Sequence, residues 1–367
     1  MEKQTISFFQ LSLILFGGIG VLNHVIVLPF VLDCAHRDAW ISILLAGFFY
    51  LCWIPLLYYI HKKTSGQNIY EWLKKNFGKA ITSCLFFLIG IYSLLMCIIT
   101  VKDTLTFLHF YYPETPKIIL AMFILIVCFY NASKGIKSIA MTAGVLLPIV
   151  ILLGFFVMSF NFQYKNFTLL KPFLENGLPS VLQGMIYPGV GYIELIFVLF
   201  FQHHLQTKTK LYQLFLVGFC LILLTLGPTI GSITEFGPVV SSLQRYPAFQ
   251  EWRIVSIGRY IDHMDFFAIY QWFVGTFVRL SILVLLISDL WKFKTIKGRN
   301  SFIFSLLGII ILLGTYLPMS DHVFYELLFH YVFPIFFGLT FMISLVLWLL
   351  TMFASRKRRL HHEKIKR

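Results

Sequence analysis

The sequence predicts an all-α membrane protein of about ten transmembrane helices, set out as two inverted five-helix repeats whose first and sixth helices are broken. Three observations carry this. The 367 residues are 58% hydrophobic and only 13% charged, whereas soluble domains run near 45–50% and about 25%. The mean hydropathy is +0.81, too high for a water-soluble fold of this size to hide its apolar surface. Finally, apolar runs long enough to cross a hydrocarbon core about 30 Å thick recur along the whole chain, and two of them, five apart in order, are interrupted by glycine.

The runs fall at 8–32, 40–60, 81–101, 118–130, 139–160, 180–201, 211–230, 266–287, 301–317 and 329–353, the fourth being the shortest. This makes residues 1–355 one transmembrane domain, with repeats at about 8–160 and 180–353, followed by a basic tail at 356–367. The formal charge is +14. The cations sit in short loops between apolar runs, which points to a membrane rather than to nucleic acid. With the N-terminus inside, the inner segments hold Lys3, Lys62, Lys63, Lys74, Lys75, Lys79, Lys134, Lys137, Lys208, Lys210, Lys292, Lys294, Lys297 and Arg299, and the tail adds seven more. The outer side keeps Arg37, Lys102, Lys117, Lys165, Lys171, Arg245, Arg253 and Arg259. This bias places both termini in the cytoplasm and favours an even helix count. In the first inner loop, Ile69, Tyr70, Leu73 and Phe77 share one helical face and Glu71, Lys74 and Lys75 the other, as in a helix lying in the interface. The first apolar run is too long for a cleavable signal and lacks a small-residue cleavage site. The six cysteines show no Cys-x-x-Cys pairing and read as small hydrophobes.

The first run contains Gly17-Gly18-Ile19-Gly20, then Asn23-His24 and Pro29. The sixth contains Gly184, then Tyr187-Pro188-Gly189-Val190-Gly191-Tyr192-Ile193-Glu194. Breaks at matching places in two halves of opposite orientation are the mark of an inverted repeat with discontinuous helices. Backbone groups freed near the bilayer midplane need protein, water or ligand to satisfy them, so the paired breaks are a candidate site for a small polar ligand. Close helix packing is the alternative reading of the same glycines.

Glu194 and Arg279 lie inside their runs, where an ionised group is costly and must face the bundle interior or a watery cavity. They either line and gate a polar pathway or pin two helices together as a structural pair. Asp103 and Asp289, at run ends, are expected to be solvated, and His24 is expected to pack between helices. No Walker A run, His-Glu-x-x-His helix or nucleophile elbow is present. His203-His204 sits at an inner helix end without further ligands in the sequence. No enzyme, cofactor or metal is therefore expected.

Several segments together resemble a known family. They are Glu235-Phe236-Gly237-Pro238, Leu243-Gln244-Arg245-Tyr246-Pro247-Ala248-Phe249, Glu251-Trp252-Arg253, Ser256-Ile257-Gly258-Arg259-Tyr260-Ile261, Asp265, and Tyr270-Gln271-Trp272 with Gly275 and Arg279. Asn23-His24 through Pro29 and Arg37-Asp38-Ala39-Trp40-Ile41-Ser42 add to them. The chain resembles, over essentially its whole length, the B subunit of the nutrient germinant receptors of endospore-forming bacteria, a branch of the amino acid–polyamine–organocation transporter superfamily. The resemblance implies a transporter-like fold in the inner membrane of the dormant spore, acting with an A-type membrane subunit and a C-type lipoprotein. It implies a nutrient, an amino acid foremost, bound between the broken first and sixth helices and triggering germination. The pocket would then be lined by Gly17, Gly18, Gly20, Tyr187, Gly189 and Gly191, with Tyr92, Met96, Gln271 and Trp272 placed by fold position. Some proton-coupled relatives carry a lysine in the fifth helix. The run 139–160 has none, and Arg279 could supply a fixed charge where sodium-coupled relatives hold an ion. An amino acid permease is the alternative. The loop 232–264 combines aromatics with arginines, the types enriched in binding hot spots. It is expected to fold back as a lid or to meet a partner.

Overall fold

The computed structural model describes the backbone of residues 5–64, 66–258, 263–290 and 297–365, and the side chains of 5–64, 66–258, 263–289 and 304–356. Lys3, Arg259, Tyr260, Ile261, Lys292, Lys294, the side chains of Lys297 and Arg299, and those of the tail from Lys357 onward lie outside the described residues.

Among the described residues, ten apolar helices follow one another. Eight are long and apolar enough to cross a membrane, and Lys117–Ser133 and Phe304–Thr315 are shorter. These two are the fourth and ninth predicted runs. The first helix runs from Phe8 to Gly20 behind a Ser7–Gln10 capping box, widens into a π-helical turn at Val21–Ile26, bends at Val27 and resumes as Leu28–Ala35. Its predicted glycine break thus appears one turn later, as a bulge in the backbone ladder rather than an unwound stretch. The second helix is Ala39–Thr64. The two-faced helix predicted at 69–77 is present: Ile69, Trp72 and Leu73 are buried while Lys74 and Lys75 are exposed. Gly78, at φ 83° and ψ 176°, separates it from the third span, which ends at Tyr111. Only glycine takes that backbone geometry at no steric cost.

The sixth helix is built from Gly177–Gly184, Ile186–Tyr192, a tight 3-10 turn at Ile193–Ile196 and Phe197–Phe201. It is the most enclosed, with 89% of its apolar stretch buried; the first and eighth follow at 72% and 78%, whereas the fifth reaches 17% and the tenth 33%. The broken helices therefore form the centre. The fourth, fifth and seventh turn apolar side chains such as Phe123, Leu152, Phe155 and Phe219 outward, where lipid is their solvent.

Prolines inside helices also position polar groups. Pro228 in the seventh helix (Leu211–Phe236) has no N–H, so the carbonyl of Leu224 loses its helical partner. The Nδ1 of His24 takes that carbonyl at 3.2 Å, which fastens the π turn of the first helix to the seventh. Two of the cysteines, Cys97 and Cys128, are buried, whereas Cys52 and Cys84 are exposed on apolar helices.

Candidate functional site

The centre of the bundle is a polar knot tied by four helices. Glu194 sits in the 3-10 turn of the sixth helix, and Arg279 lies midway along the eighth (Phe266–Leu290). Arg279 donates to both carboxylate oxygens, Nη1 to Oε2 and Nη2 to Oε1, each at 2.7 Å. Nη1 also reaches the carbonyl of Gly18 at 2.9 Å, and Nε reaches Thr100 Oγ1 at 3.2 Å. The Tyr92 hydroxyl donates to Glu194 Oε1 at 2.7 Å. Both charged side chains are 1% exposed. Planar two-point pairing is the strongest form of such a contact, and here every nitrogen of the guanidinium has an acceptor.

Glycines let the first helix come close enough to be bonded. A Cβ on Gly17 would lie 2.9 Å from Val278 Cγ1, and one on Gly275 would lie 2.8 Å from Val21 Cβ. Gly18 approaches Arg279 itself. The other predicted pocket residues are placed as follows. Gly191 abuts Asn23, whose Nδ2 donates to the carbonyl of Pro188, and a Cβ there would be 2.0 Å from Asn23 Oδ1. Gly189 faces Phe337 and Gly20 faces Leu224. Tyr187 stacks on Phe329 and donates to its carbonyl. Met96 is buried one turn before Thr100, whose hydroxyl donates to the Met96 carbonyl. Gln271 accepts from Trp252 Nε1 and donates to the carbonyl of Val150, while Trp272 stacks on Phe107 at 3.7 Å. Tyr92, Glu194, Arg279 and Gly18 are thus brought together. Gln271 and Trp272 belong to a layer nearer the loop, and Tyr187 points toward the tenth helix.

The space beside the knot is only about 10 Å³, room for one water at most. Both ends of the bundle are also closed. At the end opposite the termini, the loop after the seventh helix folds back as helices Pro238–Leu243 and Pro247–Arg253. Arg245 crosses from it to Asp103 at 2.6 Å and Asp321 at 3.5 Å, between the rings of Tyr246 and Tyr325. Asp103 is therefore not solvated as expected: it is fully buried, because this loop covers it and supplies its counter-charge. The helical spacing of Tyr92, Met96, Thr100 and Asp103 on one face was the signal available in the sequence. At the other end, Gln202 binds His61, Thr64 and the carbonyl of Gln67, and Ile6 pairs with Leu205. Asp289, exposed as predicted, brings a carboxylate within 4.8 Å of the ring nitrogens of His203 and His204.

A family model described as spore germination protein matches residues 5–323. The chain belongs to that family. It is 47% identical over 354 residues to Spore germination protein XB of Bacillus anthracis, covering 96% of this chain and 99% of the relative. Spore germination protein KB of Bacillus subtilis (strain 168) is 24% identical over 316 residues, covering 82% and 79% respectively. Spore germination protein A2 of the same strain is 24% identical over 296 residues, covering 77% and 79%. The fold is similar to that of MhsT in its complex with L-phenylalanine, with a TM-score of 0.64 over 96% of each chain at 12% identity. That likeness identifies a transporter-type fold.

Proposed function

We propose that this spore germination protein is the B-type subunit of a nutrient germinant receptor. It is a non-enzymatic sensor that binds a small nutrient, an amino acid foremost, between its first and sixth helices, and triggers germination with an A-type membrane subunit and a C-type lipoprotein. It sits in the spore inner membrane with both termini in the cytoplasm. The observation that carries this reading is the buried Glu194–Arg279 pair, which joins the sixth and eighth helices and holds the first through the Gly18 carbonyl and the third through Tyr92 and Thr100. Among the described residues, Arg279 is the one fixed cation beside both breaks, and it suits a nutrient carboxylate. With about 10 Å³ free beside it, a nutrient fits only if the knot opens. Binding is then coupled to a change of shape, and a ligand shifts that equilibrium only by its differential affinity for the open form.

Equilibrium binding of amino acids, sugars and nucleosides to the purified chain tests the reading. Saturable binding that Arg279→Gln abolishes, together with loss of the matching germination response on deletion, is expected. Binding by the assembled complex but not by this chain would move the nutrient site to another subunit. Full abundance and full response without the A- and C-type partners would reject the receptor reading. The transporter-type fold also suits an amino acid permease, for which uptake into proteoliposomes by this chain alone is the discriminating result. The membrane orientation is tested by a cysteine at Ser355 in a background lacking the native cysteines. It is expected to resist an impermeant thiol reagent added outside sealed cells.

A further inference from the structure

A second set of buried charges lies under the loop that closes the end opposite the termini. Glu251 projects from the Pro247–Arg253 helix onto the seventh helix at Gly231, where a Cβ would lie 2.7 and 2.8 Å from its two carboxylate oxygens. Glu251 is 6% exposed, and its Oε1 has no hydrogen-bond partner. Glu235, near the end of the same seventh helix, has a fully buried side chain; Lys165 Nζ is 3.4 Å from its Oε1. Asn161, itself fully buried, ties the two acids together: its Nδ2 donates to Glu235 Oε2 at 3.2 Å and to the backbone carbonyl of Glu251 at 2.7 Å. Its own Oδ1 is left unpartnered. Two carboxylates thus lie in one largely buried cluster with a single ammonium, which pairs with Glu235. With both ionised, the cluster holds an uncompensated negative charge in a low dielectric, and one proton removes it.

We propose that Glu235, Glu251, Asn161 and Lys165 form a proton-binding site, the Pro247–Arg253 helix docking onto the bundle with one proton bound and lifting as that proton leaves. A neutral Glu251 can donate from its unpartnered oxygen where an ionised one can only accept. Among the described residues, the charged groups acting on Glu251 are Glu235 from the seventh helix and Lys165 from the segment after the fifth. The eighth helix presents uncharged Gln271 to the neighbouring Trp252. On the first helix, His24 is held by the Leu224 carbonyl and Asp33 by Tyr325. Arg253, on the same short helix, turns to Gln250.

Burial, then the charge of Glu235, raise Glu251 well above the ordinary carboxylate range, against the pull of Lys165. The sign follows from linkage. A docked group with a raised pKa is protonated first, so docking is strongest below the undocked value of about 4.3. It weakens as pH rises through the docked value, up to tenfold per pH unit for one proton. This site is independent of the nutrient reading and survives if that reading fails.

The test is hydrogen–deuterium exchange of the amides at 248–255 in the full-length chain in lipid nanodiscs. It is read from pH 6 to pH 9 and corrected for intrinsic exchange. Wild type is expected to lose protection as pH rises across this range, by up to about tenfold per pH unit. Glu251→Gln, which mimics the neutral acid, and Glu235→Gln, which removes the like charge, are expected to flatten the loss. Lys165→Gln is expected to deepen it. Wild-type protection independent of pH, or an unchanged pH dependence in Glu235→Gln and Lys165→Gln, overturns the proposal even if Glu251→Gln does not fold. So does a transition that moves with sodium or potassium at constant ionic strength, since the site would then be one for a metal cation.

Discussion

At the centre, Glu194 meets one guanidinium whose planar fork fills both of its oxygens, with Tyr92 adding a third donor. Under the loop, one ammonium pairs with Glu235 while the carboxylate of Glu251 is buried against Gly231, and an oxygen of Glu251 and one of Asn161 find no partner. Both clusters are largely buried, and both consist of acids facing a single base. They differ in stoichiometry and geometry. One acid to one arginine in a two-point contact gives a set of charges that is complete as it stands. Two acids to one lysine leave a remainder that a proton can settle. A buried charge cluster whose ions are matched one to one holds its charge state and opens only for a ligand that replaces a partner, whereas one with an acid to spare is free to titrate.

The largest expected effect comes from breaking the complete cluster. Arg279→Gln leaves Glu194 buried and unpaired, which costs about 3–5 kcal/mol. Thermal unfolding in detergent and membrane abundance should both fall. Glu194→Gln should cost less than Arg279→Gln, because the arginine keeps the Gly18 carbonyl and Thr100 as acceptors. The double variant should be less damaged than the sum of the singles, and strict additivity in that cycle would show two independent charges.

Next in size is the packing that places the knot. Gly191→Ala drives a methyl into Asn23 and breaks its bond to the Pro188 carbonyl, at a cost of about 1–3 kcal/mol. Adding Asn23→Ala should recover part of the loss. If the alanine at 191 is tolerated alone, the sixth helix can shift away from the first more easily than the contact suggests. Nutrient sensitivity measured at matched abundance should fall in this variant more than stability does.

Glutamate-to-glutamine substitution has opposite signs in the two clusters. Glu251→Gln should leave stability at pH 5 nearly unchanged and raise it modestly, by about 1 kcal/mol, at pH 8, because the wild-type acid must then ionise in place or leave the site. A destabilised Glu251→Gln at pH 8 would place this acid in the same class as Glu194. The smallest effect belongs to Arg37, which pairs with the 42%-exposed Glu175. Arg37→Gln should weaken the ion pair by less than about 0.5 kcal/mol, and any further loss measured by unfolding reports its bonds to the carbonyls of Leu169 and Lys171.

The sequence by itself determined what depends on neighbours along the chain. Apolar runs marked ten helices, the fourth of them short. The apolar and charged faces of residues 69–77 marked a short helix ahead of the third run. Glycine clusters marked the first and sixth helices as unlike the rest, and the cost of charge in lipid singled out Glu194 and Arg279 as a pair or a gate. Only the tertiary structure decided what each of these faces. It showed that the break in the first helix is a π turn fastened by His24 to a carbonyl freed by Pro228. It showed that Asp103, at a helix end and open to water by sequence position, is sealed beneath Arg245. It brought Glu235, Glu251 and Lys165 together from three segments. The physical reason is that helix periodicity and transfer cost are local properties, summed over one turn or one span. The partner of a buried charge is fixed instead by how helices far apart in sequence pack and by where a loop folds back. For Glu251 that placement turns on Gly231, whose missing side chain makes room for the carboxylate.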